Sequence, residues 1–240
     1  MSRIEEALKK AASRRHSGSD AEGQTPDGLS SAAFAPSRTA TAGRDASRSL
    51  AEQVRPLLEA PPLQADDLLL VTARNEKTAA VEEFNRLRSS LIALTKGETF
   101  RNTVMITSTV SEEGKSMTAL NLAISLAKEQ DHTVLLVDAD LRRPALHKYL
   151  KISPDVGLIQ CLRDNLPLEK ALIKTGLGKL VFLPAGGVSR DPIDLLSSNR
   201  MAALVRELRE RYPERYVIFD TPPALPFADA GILAGIVDAT

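Results

Sequence analysis

Three separated stretches of this sequence contain residues of the types that can bind phosphate or metal ions: 107–117, 135–144 and 217–223. In the first, an apolar run that predicts a buried strand leads to Gly114, Lys115 and Ser116 at the start of an amphipathic helix. The N–H groups of the loop and of the helix start attract phosphate oxygens. Lys115 can then reach the β and γ phosphates of a nucleotide, and the Ser116 hydroxyl is placed to bind Mg²⁺.

The other two stretches each deliver aspartates at the end of a predicted strand. Asp138 and Asp140 follow the apolar run 134–137, and Asp220 follows the run 216–219, after which two prolines prevent the strand from continuing. Open α/β sheets bind ligands at the carboxyl ends of their strands. We therefore expect these three strand ends to converge on one Mg²⁺ and one triphosphate.

Each piece of this site also has an ordinary structural explanation. Asp138 and Asp220 fit strand-end or capping carboxylates, and Lys115 fits a lysine in the first turn of a helix. The three stretches together, in this order, favour the nucleotide site. Its metal ligands are then expected to be Ser116, Asp140 and Asp220.

The composition indicates an aliphatic, globular protein. The chain has 240 residues, 43% of them hydrophobic but only 4% aromatic, and a formal net charge of zero. Aliphatic cores suit parallel strands that are covered on both faces, and a neutral chain gives no indication of nucleic-acid binding. No apolar run reaches the roughly 18 residues that span a membrane, so we expect a cytoplasmic protein. Cys161, the single cysteine, is expected to be a core residue.

The chain divides into three predicted segments. Residues 1–16 have the pattern of a short amphipathic helix, which fits either a partner-bound helix or a solvated tail. Residues 17–65 are rich in Ser, Ala, Thr, Gly and Pro and predict a disordered linker. Residues 66–240 form the predicted phosphate-binding domain, with an edge strand or an extended packed segment over 67–71.

Within this domain, strand and helix patterns alternate. We predict strands at 103–107, 133–138, 179–184 and 216–220, and helices at 78–95, 115–129, 144–150, 198–211 and within 155–175. Such alternation indicates an α/β fold with a doubly wound, mostly parallel sheet. A helix begins after Asp229 and residues 235–239 would lead into another strand, so we expect a domain that is truncated at its C-terminal end.

The helix predicted at 78–95 has apolar residues at helical spacing. Charged residues lie on the other faces of this helix. The apolar residues are expected to form one stripe: Val81, Phe84, Leu87, Leu91 and Leu94. The alternative is a surface helix whose charges are solvated.

These motifs resemble those of the bacterial tyrosine kinases of capsule and exopolysaccharide synthesis, which are cytoplasmic P-loop proteins. Residues 107–116 are similar to the family's Walker A loop, 135–142 to its second Walker motif, and 217–223 to its Walker B motif. Residues 191–198 resemble the family's Pro-x-acidic-Leu-Leu-Ser segment, and 82–88 resemble its ring-forming helix. Residues 2–8 look like the start of the exosortase-associated branch.

The resemblance implies an ATP- and Mg²⁺-dependent protein-tyrosine (auto)kinase that regulates polysaccharide synthesis and export. Lys115, Asp138 and Asp140 would be catalytic, with Asp138 accepting the tyrosine proton although its reference pKa is only about 4. The nucleotide would contact the loop and first helical turn: Val110, Ser111, Glu112, Glu113, Gly114, Lys115, Ser116 and Met117.

The resemblance also implies partners. A membrane-embedded polysaccharide co-polymerase adaptor would hold the kinase at the inner membrane, and the helix 78–95 would form a homo-oligomer through Glu82, Arg86 and Arg88. Ser111 and Glu112 depart from the family, which has Pro and Gly there. The family's tyrosine-rich tail is absent, and the chain has three tyrosines, of which Tyr149 is a better candidate acceptor than Tyr212 or Tyr216.

Two other functions fit the same motifs. One is a switch ATPase of the chromosome-partitioning or division-site-selection type. The phosphate loop of that class is expected to carry a lysine at the position that is Val110 in this chain. The other is a nucleotide-binding subunit that phosphorylates nothing.

Arg142 fits two roles equally well, since it could orient a phosphate or a neighbouring subunit, or pair with a nearby carboxylate.

Overall fold

The computed structural model describes residues 58–59, 69–74, 76–97, 101–211 and 214–240. The helix predicted over 1–16 lies outside these residues and stays a prediction. So does the linker predicted over 17–65, apart from residues 58–59, which form a short strand. Within the described part of the chain, no helix combines the length and the apolar character needed to cross a bilayer.

The strands are β1 Leu58–Glu59, β2 Thr103–Ile106, β3 Thr133–Asp138, β4 Ile173–Lys174, β5 Leu180–Leu183 and β6 Arg215–Asp220. The helices are α1 Ala79–Thr95, α2 Lys115–Ala127, α3 Leu146–Tyr149, α4 Leu158–Arg163, α5 Pro192–Leu196, α6 Asn199–Arg211 and α7 Asp229–Ala234. Two 3₁₀ turns span Val71–Ala73 and Leu168–Lys170.

Among the described residues the strands form one sheet in the order β1-β4-β5-β3-β6-β2. All neighbouring strands are parallel except β4 and β5. On the outer edge of β2, Ala239 makes a single parallel bridge to Val104. The predicted α/β fold with a mostly parallel sheet is therefore confirmed.

Helices cover both faces of this sheet. Alternate residues of β3 point to opposite sides, as a strand requires. Val134 and Leu136 join a buried cluster with α2, against which Phe84, Leu91 and Ile92 of α1 pack. Leu135 and Val137 join a second cluster built with α4, α6 and α7. Because both faces are buried, the central strands are apolar along almost their whole length.

The structure corrects several local predictions. On α1 the packed residues include Ile92, whereas Leu87 and Leu94 of the predicted stripe are 42% and 79% exposed. Leu70 is buried in the core but lies in no strand. Of the two alternatives predicted for 67–71, the described residues 69–71 therefore fit the packed segment and not the edge strand. β4 and α5 were not predicted, since each is too short to show a periodic pattern.

Candidate active site

The loop between β2 and α2 carries the first predicted motif. It reverses direction through two left-handed residues, Glu112 at φ +70° and Gly114 at φ +85°. Glycine adopts such angles at little cost, whereas a residue with a Cβ does so less readily. Glu112 therefore takes a glycine-like conformation at a position where the resemblance expects glycine.

The start of α2 is open to an anion. Gly114 is the N-cap, and no described side chain caps the helix or places an acidic group in its first turn. The first N–H groups of a helix have no partner inside the helix. These donors and the positive end of the helix therefore form a ready phosphate site.

The register of the sheet brings the aspartates to this loop. Asp138 at the end of β3 lies directly opposite Asp220 at the end of β6, and Asp220 lies opposite Ile106 of β2. The Ala139 N–H also donates to the Asp220 carbonyl at 2.8 Å. Adjacent strands are about 4.8 Å apart, so the two carboxyl groups are neighbours at one edge of the sheet.

The segment after β6 runs beside the phosphate loop. The Thr107 hydroxyl donates to the Pro222 carbonyl at 2.9 Å, and the Ala224 N–H donates to the Ser108 carbonyl at 2.8 Å. The Leu225 N–H donates to the Thr109 carbonyl at 3.2 Å. These bonds tie the first and third motifs into one surface.

Lys115 is the point at which the predicted metal ligands meet. Its Nζ lies 3.0 Å from Asp140 Oδ2, 3.2 Å from Ser116 Oγ and 3.8 Å from Asp220 Oδ1. Asp140 Oδ1 accepts a hydrogen bond from the Arg143 N–H at 2.9 Å, which fixes the second carboxylate oxygen toward the lysine. The structure thus brings together side chains from three distant parts of the sequence.

Asp138 and Asp220 are fully buried, and burial raises the pKa of both. Desolvation raises the pKa of Asp220 to about 6, although the Lys115 charge and the Ser116 hydroxyl hold that rise back. Desolvation and the neighbouring Asp220 charge raise the pKa of Asp138 well above its ordinary value. The reference pKa of about 4 for aspartate therefore does not describe Asp138, because the sequence does not reveal how completely that carboxyl group is buried.

Ser116, Asp140 and Asp220 are the residues of this site that could hold Mg²⁺ together with a nucleotide. The described residues contain no group of three or more His, Cys, Asp or Glu side chains that could hold a metal. Mg²⁺ in phosphate sites is held by one or two carboxylates together with phosphate oxygens. Both carboxylate oxygens of Asp220 are buried, and the Lys115 ammonium group lies 3.8 Å from Oδ1, so this carboxylate could serve as a cation ligand.

Arg142 makes a carboxylate pair inside the chain. Its Nε and Nη2 donate to the two oxygens of Asp229, at 2.7 and 2.9 Å, and its guanidinium lies 4.5 Å from the ring centre of Phe227. Asp229 is completely buried. Of the two roles left open for Arg142, the structure shows the ion pair, which fastens the loop after Asp140 to the first turn of α7.

The structure describes two of the three tyrosines and the single cysteine. Tyr216 is buried in β6 with its hydroxyl 2.7 Å from Thr95 Oγ1, and Tyr149 is partly buried against the core. Tyr212 lies outside the described residues. Cys161 is buried, and desolvation raises the pKa of its thiol to about 11, as suits a core residue.

The predicted oligomer residues on α1 differ in their contacts. Glu82 is exposed, and Arg86 pairs with Glu83 at 2.8 Å on the helix surface. Arg88 instead points into the chain, where it contacts Glu129 at 3.1 Å and the Ser125 carbonyl at 3.2 Å.

Comparisons with known proteins agree with the geometry. The family model of the CobQ/CobB/MinD/ParA nucleotide binding domain matches residues 104–226, which contain all three motifs. Tyrosine-protein kinase YwqD of Bacillus subtilis (strain 168) is 36% identical over 171 residues, which cover 71% of this chain and 70% of YwqD. The chain belongs to the bacterial tyrosine kinase family. The predicted family resemblance is therefore confirmed.

Some other members of this family are longer. A putative tyrosine-protein kinase in the cps region of Klebsiella pneumoniae is 31% identical over 172 residues, 72% of this chain but 23% of that protein. Among solved structures, the kinase domain of the Escherichia coli tyrosine kinase ETK matches with a TM-score of 0.65 and 33% identity, covering 70% of this chain and 64% of that one.

Two features of this kinase-family site were not predicted. Asp229 had no signal beyond its place at a helix start, although a buried acid there needs a basic partner. Glu113 was expected to contact nucleotide, but its Oε2 accepts hydrogen bonds from the N–H groups of Thr109 and Val110. The loop contains two adjacent glutamates, and nothing in the sequence indicates which of them turns inward.

Proposed function

We propose that this chain is an ATP-dependent protein-tyrosine kinase. The observation that carries the proposal is the convergence of Asp140, Ser116 and Asp220 on the Lys115 ammonium group beside the open end of α2. Three oxygen ligands around one positive charge suit a Mg²⁺–triphosphate complex. The named kinases among the relatives support phosphoryl transfer to tyrosine.

In this proposal the N–H groups at the start of α2 bind phosphate oxygens, and Lys115 leaves its carboxylate partners to bind the β and γ phosphates. Ser116, Asp140 and Asp220 would hold Mg²⁺, which supplies neutralisation of the phosphate charge. The residues from Glu113 to Met117 contribute the backbone donors. Most of the rate enhancement would come from positioning and electrostatics.

Asp138 is proposed to accept the proton of the incoming tyrosine. The tyrosine oxygen forms a bond to the γ phosphorus, the bond from that phosphorus to the ADP oxygen breaks, and the phenolic proton passes to Asp138. One oxygen of Asp138 is held by the Leu146 N–H at 3.2 Å, and the other has no hydrogen-bond partner. Because its pKa is raised, Asp138 would be a better proton acceptor than an ordinary aspartate.

We further propose a role in capsule or exopolysaccharide synthesis and export. This follows from the family resemblance and from the relative in a cps region. A membrane-embedded co-polymerase adaptor would hold the kinase at the inner membrane. If α1 forms a homo-oligomer, Glu82 and Arg86 are the proposed contacts, because Arg88 is engaged within its own chain.

A switch ATPase is the second candidate, because the matching family model includes MinD and ParA. Val110 stands where that class is expected to carry a lysine, which favours the kinase. A third candidate is a nucleotide-binding subunit without activity. Purified protein incubated with labelled ATP, Mg²⁺ and a tyrosine-containing peptide separates the three: phosphotyrosine supports the kinase, phosphate release alone the ATPase, and bound nucleotide without either product the silent subunit.

The site assignment has its own test. Lys115→Ala should abolish ATP binding measured by calorimetry, because the variant loses the phosphate-binding ammonium group and leaves Asp140 and Asp220 without their cation. Lys170→Ala, a change of an exposed lysine in a 3₁₀ turn, is the matched control. Equal affinity in wild type and Lys115→Ala would refute the assignment.

A further inference from the structure

One carboxylate of the phosphate loop bonds the loop to itself. Glu113 Oε2 accepts a hydrogen bond from the Thr109 N–H at 2.8 Å and another from the Val110 N–H at 3.0 Å. Both bonds end on the same oxygen atom. The Glu113 side chain therefore links the end of the loop, just before Gly114, to its beginning at Thr109 and Val110.

The loop has few other internal restraints. Residues 111–113 are exposed, and the chain turns there through the left-handed Glu112 and Gly114. The Ser108 hydroxyl adds one bond to the Val110 carbonyl at 2.8 Å. Without Glu113, the Thr109 and Val110 N–H groups would lose their acceptor within the loop.

The two bonds also decide which backbone donors remain for a ligand. The Val110 N–H, predicted to contact nucleotide, is occupied by Glu113, as is the Thr109 N–H. The N–H groups at the start of α2 have no side-chain cap among the described residues. While Glu113 holds the Thr109 and Val110 N–H groups, the donors left for an anion include those at the helix start.

We propose that Glu113 is a positioning residue that holds the phosphate loop in its nucleotide-binding shape through these two hydrogen bonds. The inference rests on the proposed ATP binding and adds the means by which the loop is preorganised. A loop that is ordered before binding loses less conformational entropy when the nucleotide binds.

The alternative is that Glu113 acts through its charge alone. A carboxylate near the phosphates repels them, so removing the charge would tighten ATP binding. The two explanations predict opposite changes in ATP affinity for Glu113→Ala: weaker binding if Glu113 holds the loop, and tighter binding if only its charge matters. Glu113→Gln is the matched variant, because its amide oxygen can accept both hydrogen bonds while the charge is lost.

The experiment measures ATP binding by calorimetry, with Mg²⁺, and amide hydrogen exchange of the loop by NMR, without nucleotide. Glu113→Ala should weaken ATP binding by about five- to tenfold, and Glu113→Gln should bind at least as tightly as wild type. Exchange at Thr109 and Val110 should accelerate in Glu113→Ala and be restored in Glu113→Gln. Thermal unfolding of each variant verifies that the domain is folded.

Tighter binding in both variants, or unchanged exchange at Thr109 and Val110 in Glu113→Ala, would overturn the proposal. If wild-type protein bound no ATP, the proposed function would fail. The exchange measurement would still decide whether Glu113 holds the loop, so the two failures are distinguishable.

Discussion

Replacing Asp220 with asparagine should make the nucleotide-free protein progressively more stable than wild type as the pH rises. Asp220 is completely buried in β6, and its pKa is raised to about 6. Its pKa in the unfolded chain is about 4. Between these values Asp220 binds more protons in the folded protein than in the unfolded chain, so its contribution to wild-type stability falls as the pH rises through this range and is constant above it.

The size of the effect follows from the difference in pKa. A difference of roughly 2 corresponds to about 3 kcal/mol, of which about 1.3 kcal/mol develops between about pH 5 and pH 7.5. Asparagine does not titrate, so Asp220→Asn escapes this loss. The amide has its own burial cost of about 1 to 3 kcal/mol, but that cost does not depend on pH. The slope with pH is therefore more informative than the stability at any single pH.

Removal of the Asp220 charge also acts on its neighbour. That charge helps to raise the pKa of Asp138, so Asp220→Asn should lower it and stabilise the folded state further at neutral pH. This second effect has the same sign as the first. The measured slope should therefore equal or exceed the value worked out for Asp220 alone.

The assay is urea unfolding followed by far-UV circular dichroism at several pH values, without nucleotide or divalent metal. The quantity of interest is the free energy of unfolding of Asp220→Asn minus that of wild type. Asp155→Asn, an exposed carboxylate on a loop, is the control and should give a flat difference. A difference for Asp220→Asn that is also flat, or that shrinks as the pH rises, would refute the desolvation argument.

Two further predictions concern the loops around the site. Glu112→Gly should raise the free energy of unfolding by about 0.5 to 1 kcal/mol, because glycine adopts φ +70° without the cost of a left-handed side chain; a lower urea midpoint would contradict this. Arg142→Ala should lower it by about 2 to 4 kcal/mol, since it leaves the buried Asp229 without its cation. Adding Asp229→Asn to Arg142→Ala should recover part of the lost free energy of unfolding. If the effects of the two single variants on that free energy simply added in the double variant, the ion pair would not contribute as proposed.

The elements that could be predicted from the sequence are those whose apolar pattern is long. β3 was predicted with its observed bounds, and α6 within one residue, because fully buried strands and amphipathic helices leave clear patterns. β4 has two residues and pairs antiparallel with β5, so no local pattern specifies it. On α1 the sequence offers both Leu91 and Ile92, and also Leu87, as apolar residues. Only the position of α2 decides which of them pack.

The site was predictable where topology alone determines proximity. Parallel strands place their carboxyl ends at one edge, so Asp138, Asp220 and the phosphate loop had to meet once the alternation of strands and helices was recognised. The contacts of Arg142 and Glu113 depend instead on loop conformations. A charged side chain in a loop has several partners within reach, and local sequence does not rank them.

The register of β3 and β6 explains why carboxyl groups gather at this edge of the sheet. Asp138 and Asp220 are paired residues on adjacent strands, so the backbone hydrogen bonds that build the sheet also force two carboxyl groups together in a buried place. A single ammonium group, that of Lys115, lies 3.8 Å from Asp220 and closer to Asp140. Desolvation is the main cause of the raised pKa of Asp138 and Asp220, and repulsion among three carboxylates that share one positive charge adds to it. The same imbalance would make the edge favourable for the Mg²⁺ that we propose binds with the nucleotide, because binding would then relieve a repulsion that folding has imposed.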